Sequence, residues 1–150
     1  MNAGIEFREL TTTADLGIGF AVLRELRTHL GFERFLELHN AATRADGYKL
    51  LGAIEGGQCI AVMGYRVLFD FVHGKHLYVD DLVVTERCRS KGVGASLLRE
   101  AETVAQRMDC DGLRLCTGIE NEAGKRFYER EGWELRSVAY KKKKKETNIG

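Results

Sequence analysis

The 150-residue sequence contains no proline, and its net charge is only +1 at neutral pH. Without proline, helix ends must be set by glycine and by capping side chains. The near-zero charge excludes a polycation, so any contact with nucleic acid or a membrane surface would have to be local. No apolar run approaches the roughly 18 to 20 residues of a membrane span, and the N-terminus lacks the basic-then-apolar order of a signal peptide. We therefore expect a cytoplasmic protein.

Cysteine pairs with metal or redox spacing are also missing. The four cysteines, Cys59, Cys88, Cys110 and Cys116, include no Cys-x-x-Cys motif. In a reducing compartment such cysteines stay as thiols. The chain also shows no internal repeat and no linker composition, and its length suits one hydrophobic core. We therefore predict a single domain over residues 1–150.

Hydrophobic periodicity predicts the element order β-α-α-β-β-β-α-β-α-β, which is typical of an α/β (α+β) fold. A glycine pair, Gly56-Gly57, predicts a hairpin, and Gly31 is expected to separate two helices. The stretch Asp70 to His76 reads as a polar connection. The predicted strands cover residues 5–10, 48–54, 59–69, 77–84, 112–117 and 133–140, and the predicted helices cover 16–30, 32–38, 95–108 and 121–131.

The stretch from Leu77 to Met108 organises the rest of the chain. A strand passes through the glycine-bearing turn Arg89 to Gly94 into an amphipathic helix. The first amides of a helix lack intrahelical partners and lie at the positive end of its dipole, so this turn predicts a site for a phosphate-bearing ligand. A nicotinamide fingerprint is disfavoured because Leu97 stands where a third small residue is needed, and residues 118–125 do not have the spacing of a P-loop.

Two motifs resemble those of the GNAT superfamily of acyl-CoA N-acyltransferases. Arg89-Ser90-Lys91-Gly92-Val93-Gly94 is similar to the family's Arg/Gln-x-x-Gly-x-Gly/Ala pyrophosphate loop. The run from Asn121 to Trp133 resembles its second signature, an Asn followed by a Phe-Tyr pair and then Gly-aromatic. The resemblance covers essentially the whole chain. It implies the GNAT fold, a central mixed, mostly antiparallel twisted sheet flanked by helices and splayed at the cofactor-binding strand.

The resemblance also implies acetyl-CoA as cosubstrate and no metal. Glycines without a Cβ let the pyrophosphate approach backbone amides, and an extended arm can pair with a splayed strand through backbone groups alone. Asn121 is implied to bind the cofactor arm, although a plain N-cap role competes. The implied pyrophosphate residues are Arg89, Ser90, Lys91, Gly92, Val93, Gly94 and Ala95, and the implied arm-binding residues are Leu82, Val83 and Val84.

Attack of an amine on a thioester needs a base, a donor to the oxyanion and an acid for the thiolate. Tyr128 matches the family's general acid, and a phenol is protonated at neutral pH. Backbone N–H groups near Leu82 to Val84 could serve the oxyanion. Asp80 and Asp81 are candidates for the base, a water relay or the amine-binding group, with Asp80 slightly favoured. Strand alternation puts them on opposite faces unless a bulge intervenes.

We therefore predict an N-acetyltransferase that transfers an acetyl group from acetyl-CoA to a primary amine of a small molecule or protein, through a tetrahedral intermediate. The acceptor stays open. Arg24, Arg27, His29 and Arg34 suit an acidic acceptor, whereas Asp70, Asp80 and Asp81 suit a polyamine. We expect the acceptor pocket to be shaped by the helices from Leu16 to Ala42 and by the loop Asp70 to His76.

Two other classes of function remain open alongside the enzyme. One is a catalytically inactive CoA-binding regulatory module, and the other is a nucleic-acid-binding domain that uses the run Lys141 to Lys145. No membrane partner is expected. Dimerisation is common in the family, and the short, lysine-rich last strand is compatible with a homodimer. We predict no metal site, because His73 and His76 fall in a polar loop and the chemistry needs no metal.

Overall fold

The computed structural model describes residues 4–143, which divide between Cys116 and Thr117 into two compact units. The single domain over residues 1–150 stays a prediction. Strands β1 to β5 cover Ile5–Glu9, Lys49–Glu55, Gln58–Asp70, Gly74–Val84 and Gly112–Leu115, and helices α1 to α4 cover Thr13–Leu23, Phe32–Asp46, Val93–Arg107 and Glu122–Arg130, with a short 3-10 turn at Glu86–Cys88.

The first unit is built on one sheet with the strand order β1-β2-β3-β4-β5. All neighbouring strands are antiparallel except β4 and β5, which are parallel. The prediction of a mixed, mostly antiparallel sheet is thereby confirmed. The β2–β3 hairpin is also confirmed, because Gly56 and Gly57 take the positive φ values of 57° and 78° that its tight turn requires.

The next hairpin is longer than predicted. Asp70 at the end of β3 pairs with Gly74 at the start of β4, so the connection contains only Phe71, Val72 and His73. The predicted polar connection from Asp70 to His76 is therefore wrong at its second half. His76 belongs to β4, where it pairs with Leu68 on one side and Gly112 on the other. Pairing with two neighbouring strands favours the extended form despite the polar sequence.

Helices cover both faces of the sheet and bury two separate cores. On one face α3 packs Leu97, Ala101 and Ala105 against the strands. On the other face, α1 and α2 pack Leu16, Phe20 and Phe35 against the sheet. Truncating a fully buried leucine in such a core typically costs about 2 to 5 kcal/mol.

Helix α1 is shorter than predicted. Its first turn is capped by the Thr12 hydroxyl, which accepts the N–H of Asp15 at 3.1 Å. The helix ends at Leu23, where the N–H of Arg24 bonds back to the carbonyl of Phe20, so the predicted continuation to Leu30 is wrong. Gly31 still caps the start of α2, as expected for a break at that glycine. The residues between the helices form an irregular connection that is available to line a pocket.

A bulge in β4 changes which face its side chains occupy. Gly64 pairs with Asp81 and Tyr65 pairs with Val79, which leaves Asp80 as the extra residue. Before the bulge Leu77 and Val79 point into the α3 core, and after it Leu82 does so, while Val83 joins the opposite core. Alternation along the strand is therefore shifted by one residue at Asp80.

The parallel pairing of β4 with β5 stops early. Its last pair is Val79 with Leu115, whereas β4 continues to Val84. From Asp80 to Val84, β4 is paired with β3 alone within the described part of the first unit. The predicted splay at this strand is confirmed, and it leaves Leu82 to Val84 without a second neighbouring strand in the described part of the first unit.

The described part of the second unit contains α4 but no strand. The predicted final strand, Trp133 to Tyr140, is wrong. Its alternation of apolar and polar residues breaks at Ser137–Val138, and alternation without a pairing neighbour does not make a strand. Leu135, Val138 and Tyr140 are largely exposed. Of the lysine run, Lys141 to Lys143 are exposed, whereas Lys144 and Lys145 lie outside the described residues.

No helix among residues 4–143 combines the length and the apolar character needed to cross a bilayer.

Candidate functional site

The bulge brings the two adjacent acidic side chains to the same face of the sheet, the one covered by α1 and α2. Asp81 accepts two hydrogen bonds from Arg27, from Nη2 at 2.8 Å and Nε at 3.0 Å. Its other oxygen accepts the hydroxyl of Tyr48 at 2.9 Å. A charge-assisted pair of this kind fixes a carboxylate in one orientation.

Asp80 has its own guanidinium partner. Arg66 donates to it from Nε at 3.0 Å and Nη2 at 3.1 Å, and donates from Nη1 to Asp46 at 2.8 Å. Burial raises the pKa of Asp80 above its ordinary value, and the hydrogen bonds and charge of Arg66 oppose that rise. The two predicted catalytic carboxylates thus face the same way, and each is paired with an arginine.

Tyr48 is a site residue that the sequence reasoning missed. It is only 8% exposed, and burial together with Asp81 holds the pKa of its phenol far above the ordinary range. Tyr48 is therefore a permanent hydrogen-bond donor to Asp81. A Cβ at Gly64, which pairs with Asp81, would collide with the Tyr48 hydroxyl. The available signal in the sequence was Gly64 itself, because a glycine inside a predicted strand often marks a close approach by another group.

A cavity of about 630 Å³ lies over this group. Asp81, Tyr48, Arg27 and Arg66 form its polar part, together with two histidines. Burial lowers the pKa of one of them, His39, so that this imidazole favours the neutral form. Asp80 is not part of the lining, and neither is any residue of the predicted acceptor loop 70–76 within the described chain. The other histidine is His29, and the remaining wall is supplied by Leu23, Leu26, Thr28, Leu30, Phe35, Leu38 and Ala42.

The predicted pyrophosphate loop leads directly into α3. Ser90 and Gly92 adopt left-handed backbone conformations with φ of 64° and 82°, and the helix starts at Val93. The amides of Val93, Gly94 and Ala95 therefore belong to a first helical turn, whose N–H groups lack intrahelical partners. An amide cluster at the positive end of a 15-residue helix fits a pyrophosphate.

The Arg89 side chain does not extend toward this turn. Its Nε donates to the carbonyl of Val84 at 3.0 Å, and its Nη2 lies 3.5 Å from a carboxylate oxygen of Glu25. Glu25 also accepts the hydroxyl of Thr85 at 2.6 Å and the N–H of Glu86 at 3.0 Å. Glu25 thus ties the connection after α1 to the end of β4. Lys91 is exposed at the loop.

In the second unit, the signature residues form the start and the last turns of α4. Asn121 is the N-cap: its Oδ1 accepts the N–H of Gly124 at 2.9 Å, and its Nδ2 donates to Thr117 at 2.9 Å. Tyr128 packs edge-on against Phe127 and Trp133, with ring centroids 5.2 Å and 6.4 Å away. Burial raises the pKa of the Tyr128 phenol. The hydroxyl therefore remains protonated throughout the neutral range.

Comparisons with known proteins agree with this architecture. A protein-family model described as the acetyltransferase (GNAT) family matches residues 20–133. The uncharacterized N-acetyltransferase YhdJ of Bacillus subtilis (strain 168) is 30% identical over 139 residues, which cover 92% of this chain and 98% of that protein. The thialysine N-epsilon-acetyltransferase of Mus musculus is 24% identical over 144 residues, covering 80% and 84% of the two chains. The solved structure of aminoglycoside N-acetyltransferase AAC(6')-Iy in complex with CoA matches with a TM-score of 0.79 at 18% identity, over 92% and 94% of the two chains.

Proposed function

The chain belongs to the GNAT family of acetyltransferases, and we propose that it acetylates the primary amine of a small molecule that binds in the cavity beside Asp81. It is an acyltransferase whose cosubstrate is acetyl-CoA. We place the acceptor in this cavity because of the position of Asp81. This residue lines the cavity and directly precedes Leu82 to Val84, where β4 has no second neighbouring strand in the described part of the first unit.

The residues of the first unit fit the cosubstrate, which supplies the acetyl group as a thioester. The first-turn amides of α3 and the left-handed glycine Gly92 suit the pyrophosphate, with Lys91 as the exposed cation beside them. The edge of β4 from Leu82 to Val84, which β5 does not cover, suits the amide-bearing arm, which can add to it as a strand does. Backbone N–H groups of Leu82 to Val84 are the proposed donors to the oxyanion.

The charges around the cavity favour a cationic acceptor. The connected network holds two guanidinium groups, Arg27 and Arg66, against three carboxylates, Asp46, Asp80 and Asp81. Each carboxylate contacts a guanidinium group, but the network carries one excess negative charge, which an ammonium group would balance. The apolar wall around Leu26, Leu30 and Leu38 suits the carbon skeleton of the same molecule. We therefore assign the acceptor to amines with a largely apolar body.

The two carboxylates take different roles in this proposal. Asp81, which lines the cavity, holds the ammonium group together with the Tyr48 hydroxyl. Asp80 is held by Arg66, and burial raises its pKa. A carboxylate with a raised pKa is a stronger base, so Asp80 is the proposed acceptor of the proton that the amine releases through a water molecule. An ordinary carboxylate is too weak a base to deprotonate an ammonium group directly.

Tyr128 is proposed as the acid that protonates the departing thiolate. Its place in the family motif and its protonated phenol support this role. Asn121 uses its side-chain amide for the helix cap, so its proposed contribution to binding the cofactor arm is to fix the start of α4.

A second class of acceptor is an amine that also carries an acidic group. The side chain of Arg27 is 48% exposed at the cavity, and a guanidinium group there could bind a carboxylate. The relative named for thialysine, an amino acid, supports the same possibility.

The test is a thiol-release assay with acetyl-CoA and a panel of alkylamines, arylalkylamines, amino acids, aminoalkylphosphonates and polyamines. Wild type is compared with Tyr128→Phe and with the matched control Tyr140→Phe, whose ring is 96% exposed. We expect Tyr128→Phe to lower kcat about 100- to 10,000-fold, the usual range for loss of a general acid, with cofactor binding by calorimetry unchanged. Tyr140→Phe should behave as wild type.

Each other outcome identifies the step that fails. Normal turnover in Tyr128→Phe would remove this tyrosine as the acid. Binding of acetyl-CoA without turnover of any amine would favour the regulatory module, and no binding of acetyl-CoA would refute the cofactor site. Preference for amino acids or phosphonates over alkylamines would replace the first acceptor class with the second.

A further inference from the structure

Three potential metal ligands meet at the tip of the β3–β4 hairpin, within the first unit. Asp70 ends β3, His73 lies in the connection, and His76 is in β4. One ligand atom of each residue lies within 4.8 Å of the others. The sequence suggested only a polar loop here, because it did not show that His76 is buried in the sheet.

The ring of His76 is the unusual member of this group. It is 1% exposed, and its Nδ1 lies 3.1 Å from the carbonyl oxygen of Gly74. Since a carbonyl oxygen only accepts, Nδ1 carries the hydrogen, and in the neutral ring Nε2 presents a lone pair. Within the described chain Nε2 is buried without a hydrogen-bond partner. The carboxylate oxygen Oδ2 of Asp70 lies 3.9 Å from it.

The carboxylate of Asp70 is held in place by the backbone. Its Oδ1 accepts the N–H groups of Val72 at 3.0 Å and His73 at 2.6 Å. Its Oδ2 lies 3.0 Å from Nδ1 of His73. A carboxylate anchored by two amides and an imidazole anchored by a carbonyl are the supporting contacts that typically orient metal ligands.

We propose that Asp70, His73 and His76 form a binding site for a divalent transition-metal ion of the zinc class. Two imidazoles and one carboxylate favour such ions over magnesium or calcium, which prefer oxygen ligands. Ligands about 2.0 to 2.2 Å from a tetrahedral zinc ion lie roughly 3.3 Å apart. The observed separations from Asp70 Oδ2 are 3.0 Å and 3.9 Å, and all three ligand atoms lie within 4.8 Å of one another, so the side chains would have to close around the ion.

The ion would cross-link the two strands of the hairpin, because Asp70 belongs to β3 and His76 belongs to β4. His73 and Asp70 are 35% and 39% exposed in their side chains, which gives the ion a path from solvent and leaves its fourth position open to water. None of the three residues lines the acceptor cavity, so the site is independent of the proposed function. Its binding energy would add to the stability of the folded state.

The test uses the full chain freed of metal with a chelator. Co²⁺ binding is followed by visible absorption, and Zn²⁺ binding by calorimetry and by the shift in Tm, with Mg²⁺ as the comparison ion. The variants are His73→Ala and Asp70→Asn, which change partly exposed side chains and should fold. His29→Ala, a change of an exposed histidine outside the cluster, is the control.

We expect one equivalent of Co²⁺ or Zn²⁺ to bind and raise Tm, and each ligand variant to weaken binding at least about 10-fold. The control should bind as wild type does, and Mg²⁺ should produce no shift. Absence of saturable binding would overturn the proposal. So would binding that His73→Ala and Asp70→Asn leave unchanged, or equal binding of Mg²⁺.

Discussion

Gly64→Ala tests whether the glycine opposite Asp81 is needed to make space for the Tyr48 hydroxyl. An alanine Cβ at this position would lie 2.6 Å from Cζ of Tyr48 and 3.0 Å from Oδ2 of Asp81, and it would collide with the hydroxyl itself. The Tyr48 ring is only 8% exposed and is held by contacts with His39 and Arg66 beside the cavity. The substitution should therefore push the hydroxyl away from the carboxylate.

The expected cost has two parts. Adding one methyl group to a well-packed core costs about 1 to 3 kcal/mol. Losing a hydrogen bond to a charged group costs about 1.5 to 3 kcal/mol. Because a single displacement causes both, we expect Gly64→Ala to lower the free energy of unfolding by about 2 to 4 kcal/mol. Tyr48→Phe, which removes the hydroxyl without adding volume, should cost only the hydrogen-bond part.

Urea unfolding measures the stability, and thiol release measures the catalytic effect. If the Tyr48 hydroxyl orients Asp81 for the amine, both variants should lose about 10- to 150-fold in kcat/KM for the acceptor. Gly112→Ala is the matched control, because a Cβ on that strand glycine meets nothing within 4 Å. It should change stability by less than about 1 kcal/mol. The reasoning is refuted if Gly64→Ala is as stable as this control.

Two further predictions concern α4 and the cavity. Gly124→Ala should destabilise α4 by about 1 kcal/mol, because the new Cβ would lie 2.7 Å from Cγ of the capping residue Asn121. Alanine in place of glycine normally stabilises a helix. A gain in helicity, measured by circular dichroism, would therefore contradict this prediction. Burial lowers the pKa of His39 in the folded protein, so the unfolded chain takes up protons first as pH falls below about 6.5, and stability should decrease from pH 7.5 to 5.5. The decrease in stability from pH 7.5 to 5.5, measured by urea unfolding, should be smaller in His39→Phe than in wild type. If the decrease is the same in both proteins, groups other than His39 cause it.

Local patterns predicted most of the fold. The strand alternation of β1, the glycine turn of the β2–β3 hairpin and the apolar stripe of α3 depend on neighbours within a few residues, and all three are confirmed. Trp133 to Tyr140 shows where this reasoning fails, since a strand requires a distant partner that periodicity does not reveal.

The site was predicted less completely, because its contacts are long-range. Asp80 and Asp81 were recognised as candidates, but their partners were not. Arg27 is separated from Asp81 by 54 positions, and Tyr48 by 33. The bulge that turns both carboxylates to one face depends on the register between β3 and β4, which side-chain types alone do not specify.

The bulge at Asp80 also determines how β4 can change in evolution. Because alternation shifts there, odd-numbered positions face the α3 core before Asp80 and even-numbered positions do so after it. Deleting Asp80 would restore strict alternation and leave Leu82 in the α3 core and Val83 on the α1 and α2 face, where both already lie. The strand can therefore lose the bulge without repacking either core, and the deletion removes only the carboxylate that holds Arg66. Related sequences that lack the extra residue should keep the same apolar pattern on both sides of it.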